Sequence, residues 1–104
     1  MSKRVLVIGA ARSGLAAVRF LRKRKLEVIL TDLKMPLDQT LLAELEALEV
    51  DCIWQKQPNV SLLQPDFIVI SPGIPLTIEP VKVAKSLGIA VINETELAYH
   101  FAQS

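Results

Sequence analysis

The feature that most constrains the fold is the run Val5-Leu6-Val7-Ile8, which is followed by a turn with glycines at positions 9 and 14. An unbroken apolar run of this length is typical of a strand buried on both faces of a parallel sheet. Apolar residues then return at helical spacing from Leu15 to Leu21. The chain therefore begins with a strand, a tight turn and a helix, which is how nucleotide-binding α/β domains begin.

The composition indicates one globular domain. The chain has 104 residues, of which 51% are apolar and 22% charged. The 12 basic residues nearly balance the 11 acidic ones, so the net charge provides no general attraction to nucleic acid or to a membrane. No apolar run approaches the roughly 20 residues of a membrane span, and the N-terminus lacks the pattern of a secretory signal. Cys52 has no partner for a disulfide within the chain, so we expect a cytoplasmic protein.

Strands and helices alternate along the sequence. The predicted strands are Arg4–Gly9, Glu27–Asp32, Asp51–Trp54, Asp66–Ile70 and Ile89–Ile92. Helices are predicted near Ser13–Lys23, after a cap at Asp38, near Glu79–Leu87 and after a capping box at Asn93 and Glu96, whereas the polar stretch Gln55–Pro65 predicts no regular element. This alternation predicts an α/β fold, with a Rossmann-like parallel five-stranded sheet of order 3-2-1-4-5 and helices on both faces.

In such a sheet, ligands bind beyond the carboxyl ends of the strands, where the strand order reverses. Three loops should meet there, namely Ala10–Ser13, Asp32–Lys34 and Ser71–Gly73. The topology thus brings distant segments to one edge, and this edge is the predicted ligand site.

The first loop resembles a phosphate-binding turn. Gly9 permits a sharp turn, and Gly14 lets the helix lie close to the strand. Ala11 replaces the middle glycine of the usual G-x-G-x-x-G pattern, which should tighten the fit for a dinucleotide pyrophosphate. Arg12 either adds a charge to the backbone N–H groups, with Ser13 beside it, or faces solvent.

The other two loops have more than one interpretation. Asp32 lies about 20 residues after the glycine turn, where NAD-binding domains place a carboxylate on a ribose hydroxyl. It could equally accept N–H donors of a base or cap its own loop, and Lys34 is ambiguous in the same way. Ser71-Pro72-Gly73 ends a buried strand and exposes backbone donors beside a hydroxyl, although a plain turn also explains it.

Motifs for other chemistry are missing from the sequence. No segment reads G-x-x-x-x-G-K-[ST], so no P-loop for ATP is predicted, and no His, Cys and carboxylate cluster has metal-ligand spacing. Cys52 and His100 are interpreted as structural residues. We therefore expect no catalytic residue, cofactor or metal site in this chain.

Four segments together resemble a known family. They are Val7–Ala16, the strand-end Asp32, Ile68–Pro75 and Asn93–Leu97. They are similar to the N-terminal domain of the muramyl ligases of peptidoglycan synthesis, most closely the branch that adds D-glutamate to UDP-N-acetylmuramoyl-L-alanine. The resemblance spans nearly the whole chain, and Ser-Pro-Gly is its most specific part.

This resemblance implies a domain that binds the UDP moiety of UDP-N-acetylmuramoyl-L-alanine. The backbone N–H groups of Arg12 and Ser13 would take the diphosphate, and Asp32 would hydrogen-bond the uracil. Leu33 and Lys34 would line the nucleoside, and Ser71, Pro72 and Gly73 would close the other side. Gly9, Ala11 and Gly14 complete the implied substrate-binding set.

The resemblance also implies that the rest of the reaction belongs to other domains. In the family, a central domain binds ATP and Mg2+, and a C-terminal domain binds D-glutamate. The chain stops at Ser104, about where a link to the central domain would begin, so we expect a binding domain of a larger ligase that is catalytically inactive alone. The expected role is cytoplasmic synthesis of a cell-wall precursor, and hence cell shape and division.

Two other functions stay open on sequence alone. One is an NAD-binding domain of an oxidoreductase, supported by Gly9, Gly14 and Asp32 but weakened by Ala11 and by the Ser-Pro-Gly element. The other is a non-catalytic regulatory domain that senses a nucleotide or only mediates contacts. The relative affinities for UDP-N-acetylmuramoyl-L-alanine, UDP and NAD+ distinguish these functions.

Overall fold

The computed structural model describes residues 3–102, apart from the side chains of His100 and Ala102. Within these residues, five parallel strands form one sheet in the order β3-β2-β1-β4-β5. The strands are β1 (Arg4–Ile8), β2 (Glu27–Asp32), β3 (Asp51–Trp54), β4 (Phe67–Ile70) and β5 (Ala90–Ile92). The predicted fold class and strand order are confirmed.

Along residues 3–102, four helices connect successive strands, and a fifth follows β5. They are α1 (Arg12–Lys23), α2 (Gln39–Ala47), α3 (Val60–Leu63), α4 (Glu79–Ser86) and α5 (Glu94–Ala102). The predicted caps form, because Asp38 accepts from the N–H groups of Thr40 and Leu41 and the Asn93–Glu96 capping box closes in both directions. The single turn α3 was not predicted. Four residues are too short to show a helical period.

The two faces of the sheet carry separate apolar cores. Val5 and Val7 of β1 pack with buried residues of α1, α2 and α5. The alternate residues Leu6 and Ile8 pack with buried residues of α3 and α4. Since successive strand side chains point to opposite faces, the apolar run of β1 is buried on both sides, and helices cover both faces as predicted.

The register aligns the ends of three strands. Ile8 pairs with Thr31 of β2 and with Ile70 of β4. The ladder continues past the strand ends, because the Gly9 N–H donates to Thr31 at 2.8 Å and the Ser71 N–H donates to Ile8 at 3.1 Å. The loops after β1, β2, β3 and β4 therefore lie at one edge, here called the carboxyl edge.

Candidate functional site

The glycine turn at the carboxyl edge is folded tightly against Ser71. Gly9 has a φ of 109°, and a Cβ placed on it would lie 2.5 Å from Ser71 Oγ. A Cβ on Gly14 would lie 1.8 Å from the Gly9 carbonyl oxygen. Both glycines are therefore required, one for a sharp turn and one for the close approach of α1, as the sequence predicts.

Ala11 begins α1 without a special backbone conformation. Its φ of −77° and ψ of −177° are extended, so this position does not need the glycine of the usual motif. Ala11 offers no side-chain cap, and the first turn of α1 has no acidic residue. As in any first helical turn, the N–H groups of Arg12 and Ser13 have no intrahelical acceptor. The negative charge at this end of the helix dipole is the Asp32 carboxylate, which accepts from the Ala10 N–H at 2.7 Å.

The Asp32 carboxylate joins two loops. Its Oδ2 accepts from the Ala10 N–H at 2.7 Å, and its Oδ1 accepts from the Lys34 N–H at 2.9 Å. Asp32 therefore caps its own loop, which is one of the interpretations that the sequence left open. Each carboxylate oxygen can accept a second hydrogen bond, so capping leaves room for a ligand donor.

Ser71 joins the third loop to the first. It is 8% exposed, and the Ser13 hydroxyl donates to its Oγ at 3.5 Å. Pro72 and Gly73 are exposed, and a Cβ on Gly73 would meet nothing within 4 Å. The predicted meeting of three distant loops at one edge is confirmed by the contacts of Asp32 and Ser71.

Two cavities flank Asp32. The first, of about 220 Å³, is lined by Ile8, Thr31, Asp32, Leu33, Lys56, Gln57, Gly73, Ile74, Pro75 and Ile78. The second, of about 440 Å³, is lined by Ala10, Ala11, Asp32, Lys34, Met35, Pro36 and Leu37. One cavity lies toward the β4 loop and the other toward the glycine turn, and Asp32 lines both.

Comparison with known proteins identifies the family. Residues 3–93 match the family model described as "Mur ligase MurD-like, N-terminal domain". The chain belongs to this family. The sequence resemblance is confirmed.

Two curated relatives carry the same ligase name. The chain is 47% identical over 103 residues to the UDP-N-acetylmuramoylalanine--D-glutamate ligase of Pelotomaculum thermopropionicum, covering 98% of this chain and 23% of the relative. It is 42% identical over 103 residues to the ligase of the same name from Geobacillus kaustophilus, covering 97% of this chain and 23% of the relative. The chain thus spans less than a quarter of the length of these relatives.

A solved Mur ligase structure supports the fold. The UDP-N-acetylmuramate:L-alanyl-gamma-D-glutamyl-meso-diaminopimelate ligase from Neisseria meningitides superposes with a TM-score of 0.67 at 24% identity, covering 90% of this chain and 29% of that one. At this identity the likeness concerns the fold alone. The family match favours a ligase domain in peptidoglycan synthesis over the oxidoreductase alternative.

Within this Mur ligase domain, the predicted site residues divide by location. Asp32, Leu33 and Gly73 line the smaller cavity, Ala11 and Lys34 line the larger one, and Arg12, Ser13 and Gly14 form the start of α1. Gly9 and Ser71 lie beneath them as packing contacts, and Pro72 lines neither cavity.

Sequence reasoning missed one wall of the smaller cavity. Lys56 and Gln57 follow β3 and line it together with Asp32. The same topological rule that selected the loops after β1, β2 and β4 applies to the loop after β3. The signal was therefore present, but it lay in a stretch without a recognised motif.

The described residues give little support to a reactive thiol, a metal site or a membrane-spanning helix. Burial, and secondarily the charge of Asp51, raises the pKa of the Cys52 thiol, so the reactive thiolate is disfavoured. Among the described residues, no group of three or more His, Cys, Asp or Glu side chains could hold a metal ion. None of the described helices has the length and apolarity required to cross a bilayer. The predicted structural role of His100 concerns a side chain outside the described set.

Proposed function

We propose that this domain holds the uridine diphosphate end of UDP-N-acetylmuramoyl-L-alanine for a ligase that joins this substrate to D-glutamate. The observation that carries the proposal is the meeting of the glycine turn, Asp32 and the Ser71–Gly73 loop beside a cavity of about 220 Å³. The names of the curated relatives supply the substrate.

The smaller cavity suits the uracil base. Ile8, Ile74 and Ile78 give it apolar walls for the faces of a flat ring. At the rim, Asp32 retains acceptor capacity for the ring N–H after its two backbone contacts. Leu33 and Gly73 line the same cavity, so this base position matches the roles that the resemblance implies for them.

The start of α1 suits the diphosphate. The N–H groups of Arg12 and Ser13 point out of the first helical turn, where an anion is stabilised by hydrogen bonds and by the helix dipole. Arg12 is exposed and has no ion-pair partner among the described residues. Lys34, which lines the larger cavity, adds a second positive charge near this position.

The domain contributes binding rather than bond formation. We assign ATP, Mg2+ and D-glutamate to the longer remainder of such a ligase, because the sequence contains no P-loop motif and the described residues form no metal-ligand cluster. In that scheme the substrate carboxylate becomes an acyl phosphate, which the amine of D-glutamate attacks. This domain alone would be inactive, and the reaction would take place in the cytoplasm.

Calorimetric titration of the chain with UDP-N-acetylmuramoyl-L-alanine, UDP and NAD+ tests the proposal. We expect both uridine ligands to bind more tightly than NAD+. Arg12→Ala should weaken UDP binding about 3- to 10-fold, since it removes one charge beside the diphosphate. Lys23→Ala, at the other end of α1, is the matched control and should bind UDP normally. Preference for NAD+, or no binding of either uridine ligand, would overturn the proposal.

A further inference from the structure

The smaller cavity has few side chains that can donate a hydrogen bond. Thr31 Oγ1 already donates to the Ile53 carbonyl at 2.9 Å, and Asp32 can only accept as a carboxylate. The other lining residues are Gly73 and the apolar Ile8, Leu33, Ile74, Pro75 and Ile78. Lys56 and Gln57 are therefore the side chains of this lining that can donate to a ligand.

The loop that carries these two residues is fixed on both sides. Before them, the Gln55 N–H donates to the Asp32 carbonyl at 3.0 Å. After them, Pro58 is buried, and Asn59 caps α3 by accepting from the Leu62 N–H at 3.1 Å. Lys56 and Gln57 thus lie exposed between two anchored points.

Gln55 gives this loop its direction. Its φ of 66° is in the left-handed region, which is unfavourable for a residue with a side chain. This turn follows Trp54, which pairs with Asp32 in the sheet register. The conformation therefore brings the loop after β3 to the end of β2, beside the carboxylate.

A uracil ring bound in the smaller cavity requires hydrogen-bond donors from the protein. Its one ring N–H lies between two carbonyl oxygens, so a carboxylate that accepts from the N–H leaves both carbonyls in need of donors. A carbonyl buried in a mainly apolar cavity without a donor costs binding free energy. Cytosine instead presents an amino donor in place of one carbonyl, and that amino group would face the donors of the protein.

We infer that Lys56 and Gln57 donate to the carbonyl oxygens of the uracil ring and add to the preference for uracil over cytosine that the contact of Asp32 with the ring N–H provides. The inference rests on the proposed function and adds specificity-determining residues to it. Asp32 reads the ring N–H, and the loop after β3 reads the flanking oxygens. The two contributions come from different strands and can be removed separately.

Binding of uridine, UDP and CDP to Lys56→Ala, Gln57→Ala and the double variant tests the inference. Each single variant should weaken the binding of uridine and of UDP about 3- to 10-fold, and the double variant should lower the preference for UDP over CDP about 10-fold. Gln57→Glu keeps the shape but replaces donors with acceptors, and should be at least as harmful as Gln57→Ala. Lys82→Ala, an exposed lysine on α4 outside this lining, is the control.

The outcomes separate this inference from the proposed function. If the unmodified chain binds neither uridine nor UDP, both are overturned. If it binds both while the double variant keeps its affinity and its preference, only the inference about Lys56 and Gln57 is overturned. A loss seen with UDP but not with uridine would place the lysine on the phosphates and would equally overturn it. Since both side chains are exposed, Tm should stay unchanged in every variant.

Discussion

The chain reverses direction at both the amino edge and the carboxyl edge of the sheet, but different interactions stabilise the turns at the two edges. At the amino edge, where helices lead into strands, the same turn occurs after α1, α2 and α4. Its left-handed residues are Lys25 (φ 64°), Glu49 (φ 60°) and Gly88 (φ 75°). After α1, for example, the Leu26 N–H donates to Leu21 and the Lys25 N–H donates to Arg22, which is the Schellman pattern.

At the carboxyl edge, Gly9 and Gly14 are packed against other residues, whereas Gly73 has open space around it. A Cβ on Gly9 would strike the side chain of Ser71, and a Cβ on Gly14 would strike the Gly9 carbonyl. In contrast, Gly88 at the amino edge has nothing within 4 Å of a Cβ.

The amino edge is thus determined by local backbone hydrogen bonds. The carboxyl edge depends in addition on contacts between distant segments, such as Gly9 with Ser71 and Ala10 with Asp32. The candidate site lies at the carboxyl edge.

The largest expected effect is that of Gly14→Ala. The added methyl would meet the backbone oxygen of Gly9 at 1.8 Å, and Gly9 is held to β2 by the hydrogen bond from its N–H to Thr31. We expect a loss of about 3 kcal/mol or more in the free energy of unfolding, despite the better helix propensity of alanine. Urea denaturation measures it. A loss below about 1 kcal/mol would show that the carboxyl edge is not tightly packed.

Asp32→Ala should have the next largest effect. It leaves the N–H groups of Ala10 and Lys34 without their acceptor, and we expect a loss of about 1–2 kcal/mol in unfolding free energy. Asp51→Ala, an exposed carboxylate at the start of β3, is the control and should change little. If the two variants have the same free energy of unfolding, Asp32 does not join the loops in solution.

Gly88→Ala tests the amino edge. There the methyl meets no neighbour, so only the left-handed backbone opposes it, and we expect a loss of about 1 kcal/mol. Glu49→Gly at the equivalent turn should be neutral or raise stability by up to about 1 kcal/mol, because it relieves the same conformation. Thermal unfolding of both variants measures the difference. If both substitutions lowered the free energy of unfolding, local backbone conformation would not determine these turns.

Gly73→Ala should have the smallest effect on folding. It has open space around its Cβ position and lies at an exposed turn, so we expect a change within about 0.5 kcal/mol. Because Gly73 lines the smaller cavity, UDP affinity should nevertheless fall. If the variant had altered stability but normal UDP affinity, Gly73 would contribute to folding and not to UDP binding.

Features with a local signal were predictable from the sequence. The apolar run Val5–Ile8 identified the central strand, and the Asp38 and Asn93 caps located the starts of α2 and α5 because capping depends on residues within one turn. The turns with Lys25 and Glu49 in the left-handed conformation carry no glycine to announce them.

The position of the candidate site was predictable from the strand order. The strand order placed three loops at one edge, and the contacts of Asp32 and Ser71 confirm it. The wall formed by Lys56 and Gln57 follows from the same topological rule, but the loop that carries these residues contains no recognised motif. The binding roles of the site residues stay predictions.

The central claim is that one edge of this sheet binds a uridine diphosphate. Its most direct test is a map of backbone amide shifts in the 15N-labelled chain as UDP is added. We predict saturable shifts at Gly9–Gly14, Asp32–Lys34 and Ser71–Gly73, and none at the turns of Lys25, Glu49 and Gly88. Shifts concentrated at the amino edge, or no shifts at all, would contradict the claim.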